Sequence, residues 1–570
     1  MTPPPNARLL PFLMVAGALA GAAGWALTEA WDSAVLAPRA LLFLTALAAA
    51  GFTLLLALSG PVAPARAVLP SVLAAAVLAA ALCWASGRHG DVQSFLELGY
   101  PLAAFGLALS IAIPFLVAGL SRPGGWTDYP ALFDATWETT VRLLAGVFFA
   151  ALFWGLLSLS DALLRLVDVR LLEWVTDIEA VAWALTGTVF GLALAVMFRL
   201  SGQVSPVLLL RLLRLLLPVV LVVTLVFLAA LPLRGWEGLA QGFSPAAILM
   251  AVALAAVLLV TVAVDRDSGE AVQSRPWRMM TGALALCVPL LAGLGGWALW
   301  LRVGQYGWTP SRLMAASVAA VLLVYGLAYA LSVLIGRHWM ARLREVNTWM
   351  ALAVLAICLL WLSPAFEPER AAASDQVNRA RSGAAGATLP LPELAQDWGH
   401  AGHAALDVIA EARPDLTAEI ELARLGRSRP APESLLAERR AAVIAALPVY
   451  PEGARLDGDS LAEMDAIQLS GLLEACARRV TGGPGCAFYR QGEARALLLQ
   501  KVSEDFVTLT PMQLSGGLWQ PGGRLITLDG DEGPGARVAA LEALHRGGVG
   551  TQSRTIEVLW LGDMLLYLPE

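Results

Sequence analysis

The residues best spaced for chemistry lie in the last third of the chain, where Asp397, His400, His403, Asp407 and Glu411 recur at intervals of three and four. On a helix that spacing gathers carboxylates and imidazoles on one face, the donor set of a zinc site. Gly399 and Gly402 weaken such a helix, and polar residues at this spacing commonly form a solvated face. Asp457-Gly458-Asp459 and Asp529-Gly530-Asp531-Glu532-Gly533 hint at calcium loops. Neither supplies the spaced ligands and terminal Glu of a full loop, so both read as turns. No carboxylate pair, Ser/His arrangement or phosphate-cradling glycine run stands at a recognisable spacing, so no catalytic residue and no cofactor is expected.

The elements that would position these residues are mostly made for lipid. Of 570 residues, 58% are hydrophobic and only 15% charged, against roughly a quarter charged in soluble domains. Mean hydropathy is +0.67. Eleven apolar runs read as spans: Leu9 to Leu27, Ala40 to Leu58, Ala67 to Ala85, Pro101 to Leu120, Val141 to Leu159, Ile178 to Phe198, Val207 to Leu231, Pro245 to Val264, Met279 to Leu301, Leu313 to Ile335 and Trp349 to Leu362. Most approach the roughly 20 residues that cross a hydrocarbon core, where only a helix satisfies every backbone group. Trp25, Trp84, Trp300, Trp308, Trp339, Trp349 and Trp361 mark span ends, as rings anchored at the headgroups do. The first run has no small-residue cleavage site before a polar sequence and reads as a retained helix. The net charge of -6, with Lys501 the only lysine, argues against a nucleic-acid partner.

The expected architecture is therefore an all-α polytopic transmembrane helix bundle over residues 1–363, followed by a small soluble α+β domain over residues 364–570. In the tail, Ser374 to Ala445 has helical periodicity interrupted by Pro390, Pro414 and Pro430. After Pro451 the runs turn strand-like: Ala496 to Gln500, Phe506 to Leu509, Gly523 to Leu528, and Ile556 to Leu561 joined to Met564 to Leu568 through a Gly562-Asp563 turn.

Orientation follows from arginine. One set of alternate loops and span ends holds thirteen arginines, from Arg8 and Arg66 through Arg266 to Arg344, and the other holds seven, among them Arg39, Arg88 and Arg312. The positive-inside rule then expects a bacterial inner-membrane protein with a cytoplasmic N-terminus, and an odd number of spans expects a periplasmic tail. Cys83, Cys287 and Cys358 lie within spans, whereas Cys476 and Cys486 flank the turn-forming Thr481-Gly482-Gly483-Pro484-Gly485. An oxidising compartment would let that last pair form a disulfide.

Four local features read structurally. Gly17-x-x-x-Gly21 and Gly187-x-x-x-Gly191 suit close helix packing within the bundle. Asp161 to Asp177 sets Leu164, Leu171 and Val175 against Arg165, Asp168 and Glu173, as in a helix lying on the membrane surface. Arg211 and Arg214 enter a span but remain within snorkelling reach of the cytoplasmic face. Pro289 with Gly293, Gly295 and Gly296 is the nearest approach to the broken helix of a transporter.

Between two late spans runs Arg302-Val303-Gly304-Gln305-Tyr306-Gly307-Trp308-Thr309-Pro310-Ser311-Arg312. It resembles the Tyr-Gly-x-Thr-x-x-Arg signature of the bacterial domain-of-unknown-function family four-one-five-three. Arg381-Ser382-Gly383 and Asp397-Trp398-Gly399 are also similar to members of that group. The resemblance implies a bacterial integral membrane protein with a variable C-terminal extension, and it lends no activity. Physically, Thr309 suits an N-cap and Pro310 a first helical turn, so the segment can simply start a span. The sharper expectation makes Tyr306, Trp308 and Arg312 a lipid-headgroup or partner contact, with Arg312 on a phosphate.

Three function classes follow: a non-enzymatic envelope component whose tail senses or binds a protein partner, a transporter or flippase-like protein for a lipid or apolar solute, and an enzyme acting on envelope lipids or glycans. The first needs no buried charge and fits best, because the central thirds of the spans hold almost no Asp, Glu, Lys or His.

Overall fold

The computed structural model describes residues 9–165, 178–200, 207–234, 245–382, 389–426, 433–451, 453–454, 456, 461–503, 506–522, 535–547, 559–561 and 564–566. Eleven helices among these are long and apolar enough to cross a membrane. In chain order they are α1 (Leu9–Asp32), α2 (Pro38–Leu58), α3 (Pro64–Ser86), α5 (Tyr100–Ser121), α6 (Tyr129–Arg165), α7 (Glu179–Arg199), α8 (Val207–Arg234), α9 (Pro245–Val264), α10 (Arg275–Tyr306), α11 (Pro310–Ile335) and α12 (Trp339–Leu362). A short helix, α4 (Val92–Glu97), stands between the third and fourth spans. Each expected span is present, most with a longer helix than its apolar run, because caps rather than hydropathy fix the ends. Pro opens α2, α3, α5, α10 and α11, where its missing N–H has no helical partner to lose.

Small residues set the closest helix packing. The two Gly-x-x-x-Gly motifs face one another across α1 and α7: a Cβ on Gly17 would overlap the carbonyl oxygen of Gly187, and one on Gly191 that of Leu13. Gly326 of α11 likewise lies against Pro289 of α10. Pro289 sits inside a helix that continues from Arg275 to Tyr306, so this span is not broken as a transporter's would be.

Two arginines and an Asn–Tyr group that enter the bundle are bonded to protein. Arg214 Nε donates to the Val262 carbonyl at 3.1 Å and pairs with Asp265, rather than snorkelling free. Arg344 donates to the carbonyls of Val264 at 2.7 Å and Asp265 at 3.1 Å. These two guanidiniums thus satisfy the carbonyls at the C-terminal end of α9. Beside them, Asn347 Oδ1 accepts from Tyr325 Oη at 2.9 Å and from Tyr329, while its Nδ2 donates to Tyr129 Oη at 3.1 Å. The sequence reading missed this network, since Tyr and Asn scattered over three spans carry no charge and no spacing.

The compact units divide between Arg427 and Ser428, well beyond the last span. Four helices after the bundle belong to the first unit: α13 (Pro368–Arg381), α14 (Leu391–Gln396), α15 (Gly399–Ala412) and α16 (Thr417–Arg424). Leu394, Trp398, Leu406, Ile409 and Ile420 are buried together with Ala372 and Ala380, forming a small core of their own against Leu313.

The second unit holds α17 (Glu433–Ala446), β1 (Val449–Tyr450), α18 (Ala466–Ala477), β2 (Arg479–Val480), β3 (Gly483–Pro484), β4 (Cys486–Gln491), β5 (Arg495–Lys501), β6 (Val507–Ser515), β7 (Leu518–Pro521) and α19 (Ala536–His545), with a β8–β9 hairpin over Leu559–Leu561 and Met564–Leu566. Its five-stranded sheet runs β1-β4-β5-β6-β7, parallel at β1–β4 and antiparallel elsewhere. Phe488 and Leu498 are paired across β4 and β5 and point to the α18 side with Leu469 and Leu472. Their neighbours Ala487 and Leu499 point to the α19 side with Leu541 and Leu544, the period-two alternation of a sheet covered on both faces. The Cys476–Cys486 disulfide ties α18 to β4, with Cα atoms 4.7 Å apart.

Candidate functional site

A set of polar contacts outside the spans lies where α13 to α16 meet the loops after α3 and α10. Alternation of the spans brings both loops and the start of the tail to one end of the bundle. At the first loop, Arg88 follows the C-terminus of α3 and donates to the carbonyls of Trp361 at 3.1 Å, Ser363 at 2.7 Å and Phe366 at 3.0 Å. Those carbonyls belong to the end of α12 and the turn beyond it, which have no helical donors left. Arg88 also lies 3.8 Å from Glu369, which accepts a hydrogen bond from Tyr100. Glu369 is only 2% exposed, so its charge depends on these two partners.

His89 continues the contact. It is fully buried, its Nε2 lies 3.2 Å from the Asp397 carbonyl oxygen, and its Nδ1 has no hydrogen-bond partner. Burial holds its pKa below the ordinary histidine value, against an opposing pull from Glu369. Nε2 is then the protonated nitrogen, donating to the carbonyl. The N–H of His400 donates to the Arg88 carbonyl at 3.0 Å. Gly399 has φ +52°, and a Cβ there would strike the Arg88 carbonyl oxygen, so this junction requires glycine.

At the second loop, α13 holds the turn between α10 and α11 by its backbone. Asp375 Oδ2 accepts from Trp308 N–H at 2.8 Å. Gln376 Nε2 donates to the carbonyls of Tyr306 at 3.2 Å and Trp308 at 2.9 Å. Arg379 donates to those of Gln305 at 2.7 Å and Gly304 at 3.4 Å. The turn needs glycine as well, since Gly307 has φ +76° and a Cβ there would lie 2.5 Å from Gln376 Nε2.

Beside the first of these contacts lies a cavity of about 1090 Å³, bounded by one face each of α3, α13 and α15. Its spanning side is apolar, with Phe43, Ala80, Cys83 and Trp84, and its tail side carries Glu367, Glu369, Arg370, Arg381 and His400.

Thr309 caps α11, its hydroxyl accepting from Arg312 N–H at 3.2 Å. Arg312 donates to the Gly307 carbonyl at 2.7 Å and lies 5.5 Å from the Tyr306 ring centroid, so much of its capacity is met within the turn. Trp308 is half-buried, bonded through its backbone to α13. Asp397, His400, His403 and Asp407 are not brought together: Asp397 meets His89 through its carbonyl, His400 lines the cavity and Asp407 pairs with Arg424. Among the described residues no group of three or more His, Cys, Asp or Glu could hold a metal. Asp457 to Asp459 and Asp529 to Gly533 lie outside the described residues, as does 166–177 of the expected surface helix, whose first residues extend α6. Sequence reasoning missed Arg88, His89 and Glu369. The available signal was an Arg-His pair at the arginine-poor end of the bundle.

No curated protein and no solved structure matches the chain. One family does: the model described as domain of unknown function (DUF4153) matches residues 15–391, which take in ten complete spans, most of the first, and α13 with its contacts to both loops. The match covers well over half of the chain, and the chain belongs to the DUF4153 family.

Proposed function

We propose that the chain is a non-enzymatic component of a bacterial inner membrane, with a cytoplasmic N-terminus and its residues beyond Leu362 in the periplasm. The bundle is the anchor, and the tail senses the envelope or binds a protein partner there. The observation that carries this reading is the hold of α13 on the turn at Tyr306 to Trp308 through Asp375, Gln376 and Arg379. The tail begins as a fixed extension of the spans, so a force or ligand acting on it is felt by α10 and α11. The arginine bias supports the orientation. The continuous α10 and the pairing of Arg214 and Arg344 with α9 favour an anchor over a carrier with a broken helix at its centre.

In-cell photocrosslinking from the second unit tests the reading. A photoreactive residue at Val502 or Phe506, both exposed, is expected to give one discrete adduct with an envelope protein. Adducts spread over many abundant proteins, or none from either site, would contradict it.

A further inference from the structure

The geometry points to a phospholipid site in the cavity between α3, α13 and α15, which takes a diacyl lipid whose headgroup carries a hydrogen-bond donor beyond its phosphate. This goes beyond the anchor-and-tail reading, because it assigns a ligand to the membrane unit itself.

Three observations specify the occupant. The cavity changes character along its length: Cys83 and Trp84 belong to the last turn of a span, whereas Arg381 and His400 belong to tail helices. Trp84 is 61% exposed at the end of a lipid-facing helix, the depth at which indole rings meet headgroups. A ligand apolar at one end and anionic at the other matches that gradient, and a phospholipid is the one supplied by the surroundings.

The cations are available for a phosphate. Arg381 is exposed and has no ion pair or hydrogen bond among the described residues. The Arg370 side chain is 76% exposed and among the described residues engages only Glu367, at 2.9 Å. Arg370 and Arg381 stand eleven residues, about three turns, apart on α13, so the two guanidiniums bracket the cavity and either can take a phosphate from its own end.

The third observation selects the headgroup. Glu369 lines the cavity and is 2% exposed; one carboxylate oxygen is bonded by Tyr100, while Oε2 faces Arg88 Nη1 only at 3.8 Å, beyond hydrogen-bond range, and accepts no hydrogen bond. A buried carboxylate oxygen without a donor is costly. The ammonium of phosphoethanolamine or the hydroxyl of phosphoglycerol would supply one beside the phosphate. The volume of about 1090 Å³ is at the upper end of ordinary ligand pockets, room for a headgroup and the upper part of its acyl chains.

The test is native mass spectrometry of the full chain released from detergent, before and after delipidation, with phosphatidylethanolamine, phosphatidylglycerol or phosphatidylcholine added back. The wild-type chain is expected to retain one lipid and to rebind the first two in preference to phosphatidylcholine, whose headgroup has no donor. Arg381→Glu is expected to weaken rebinding at least about fivefold, and Ala404→Trp, which fills the cavity from α15, to abolish it. Both positions are exposed, and an unchanged melting temperature confirms that each variant folds. Inorganic phosphate at millimolar concentration is the control for a free anion: if it displaces the lipid and binds alone, the site takes phosphate and the lipid assignment is wrong. Equal lipid retention by wild type and both folded variants, or retention without headgroup preference, would overturn the proposal.

Discussion

The main-chain N–H of Trp308 donates to Asp375 Oδ2 at 2.8 Å, so a carboxylate on the first helix after the bundle holds the turn between the ninth and tenth spans. Asp375→Ala is expected to remove that charge-assisted bond and cost about 2 kcal/mol locally. Hydrogen exchange at the amides of residues 304–308 reads the loss directly. Protection unchanged from wild type would mean that the turn holds itself.

The glycine faces of α1 and α7 give a sharper stability prediction. Because a side chain at Gly17 would meet the backbone of Gly187, Gly17→Val cannot be accommodated by a rotamer change and is expected to cost at least about 2 kcal/mol. Gly293→Ala is the control, since a Cβ there meets nothing within 4 Å. Thermal unfolding in detergent should separate the two variants, and equal melting temperatures would show that the two motifs do not pack as described.

His89 makes the contact between α3 and the tail depend on pH. Burial lowers its pKa from 6.5, so the folded state favours the neutral ring. The stabilisation is complete above the unfolded value of about 6.5 and is lost as pH falls below it towards the folded pKa. Exchange at the amides of residues 397–400 should rise, after correction for the intrinsic rate, between pH 7.5 and 5.5. His89→Gln, whose amide replaces the Nε2–H without titrating, should flatten that dependence. The same rise in the glutamine variant would assign it to another group.

Much of this fold was legible from hydropathy, because lipid forces a helix wherever about 20 apolar residues run together. All eleven spans were readable in that way, and so was the small-residue packing at Gly17 and Gly187. The attachment of the tail was not. Asp375, Gln376 and Arg379 look like any solvated helix face, and their partners are backbone atoms some seventy residues away, which no side-chain pattern records. The same limit hid Arg88, which bonds three carbonyls. In the second unit, Ala466–Ala477 forms a helix to which no element was assigned from sequence, the expected strand-like runs beginning at Ala496. Its run of Leu and Ala is short enough to suit either state, and packing on the sheet decides it. The expected boundary at Ser363 follows the end of hydropathy, whereas compactness follows contacts and extends to Arg427.

The disulfide between Cys476 and Cys486 closes a short loop and is expected to stabilise the second unit by about 2 to 3 kcal/mol. Cys476→Ser with Cys486→Ser should lower its denaturation midpoint, and unreduced wild-type protein should yield the two peptides linked. Both thiols free to alkylation in protein taken from cells would contradict the pairing and would remove one reason to place the tail in an oxidising compartment.

The proposed function requires a periplasmic tail. Reporter fusions after Leu425 and after Glu570 test this most directly, since they bracket the second unit and follow α13 to α16. The orientation read from arginine predicts active alkaline phosphatase and a dark cytoplasmic fluorescent protein at both positions. A bright fluorescent protein with inactive phosphatase at both would place the tail in the cytoplasm and contradict the account.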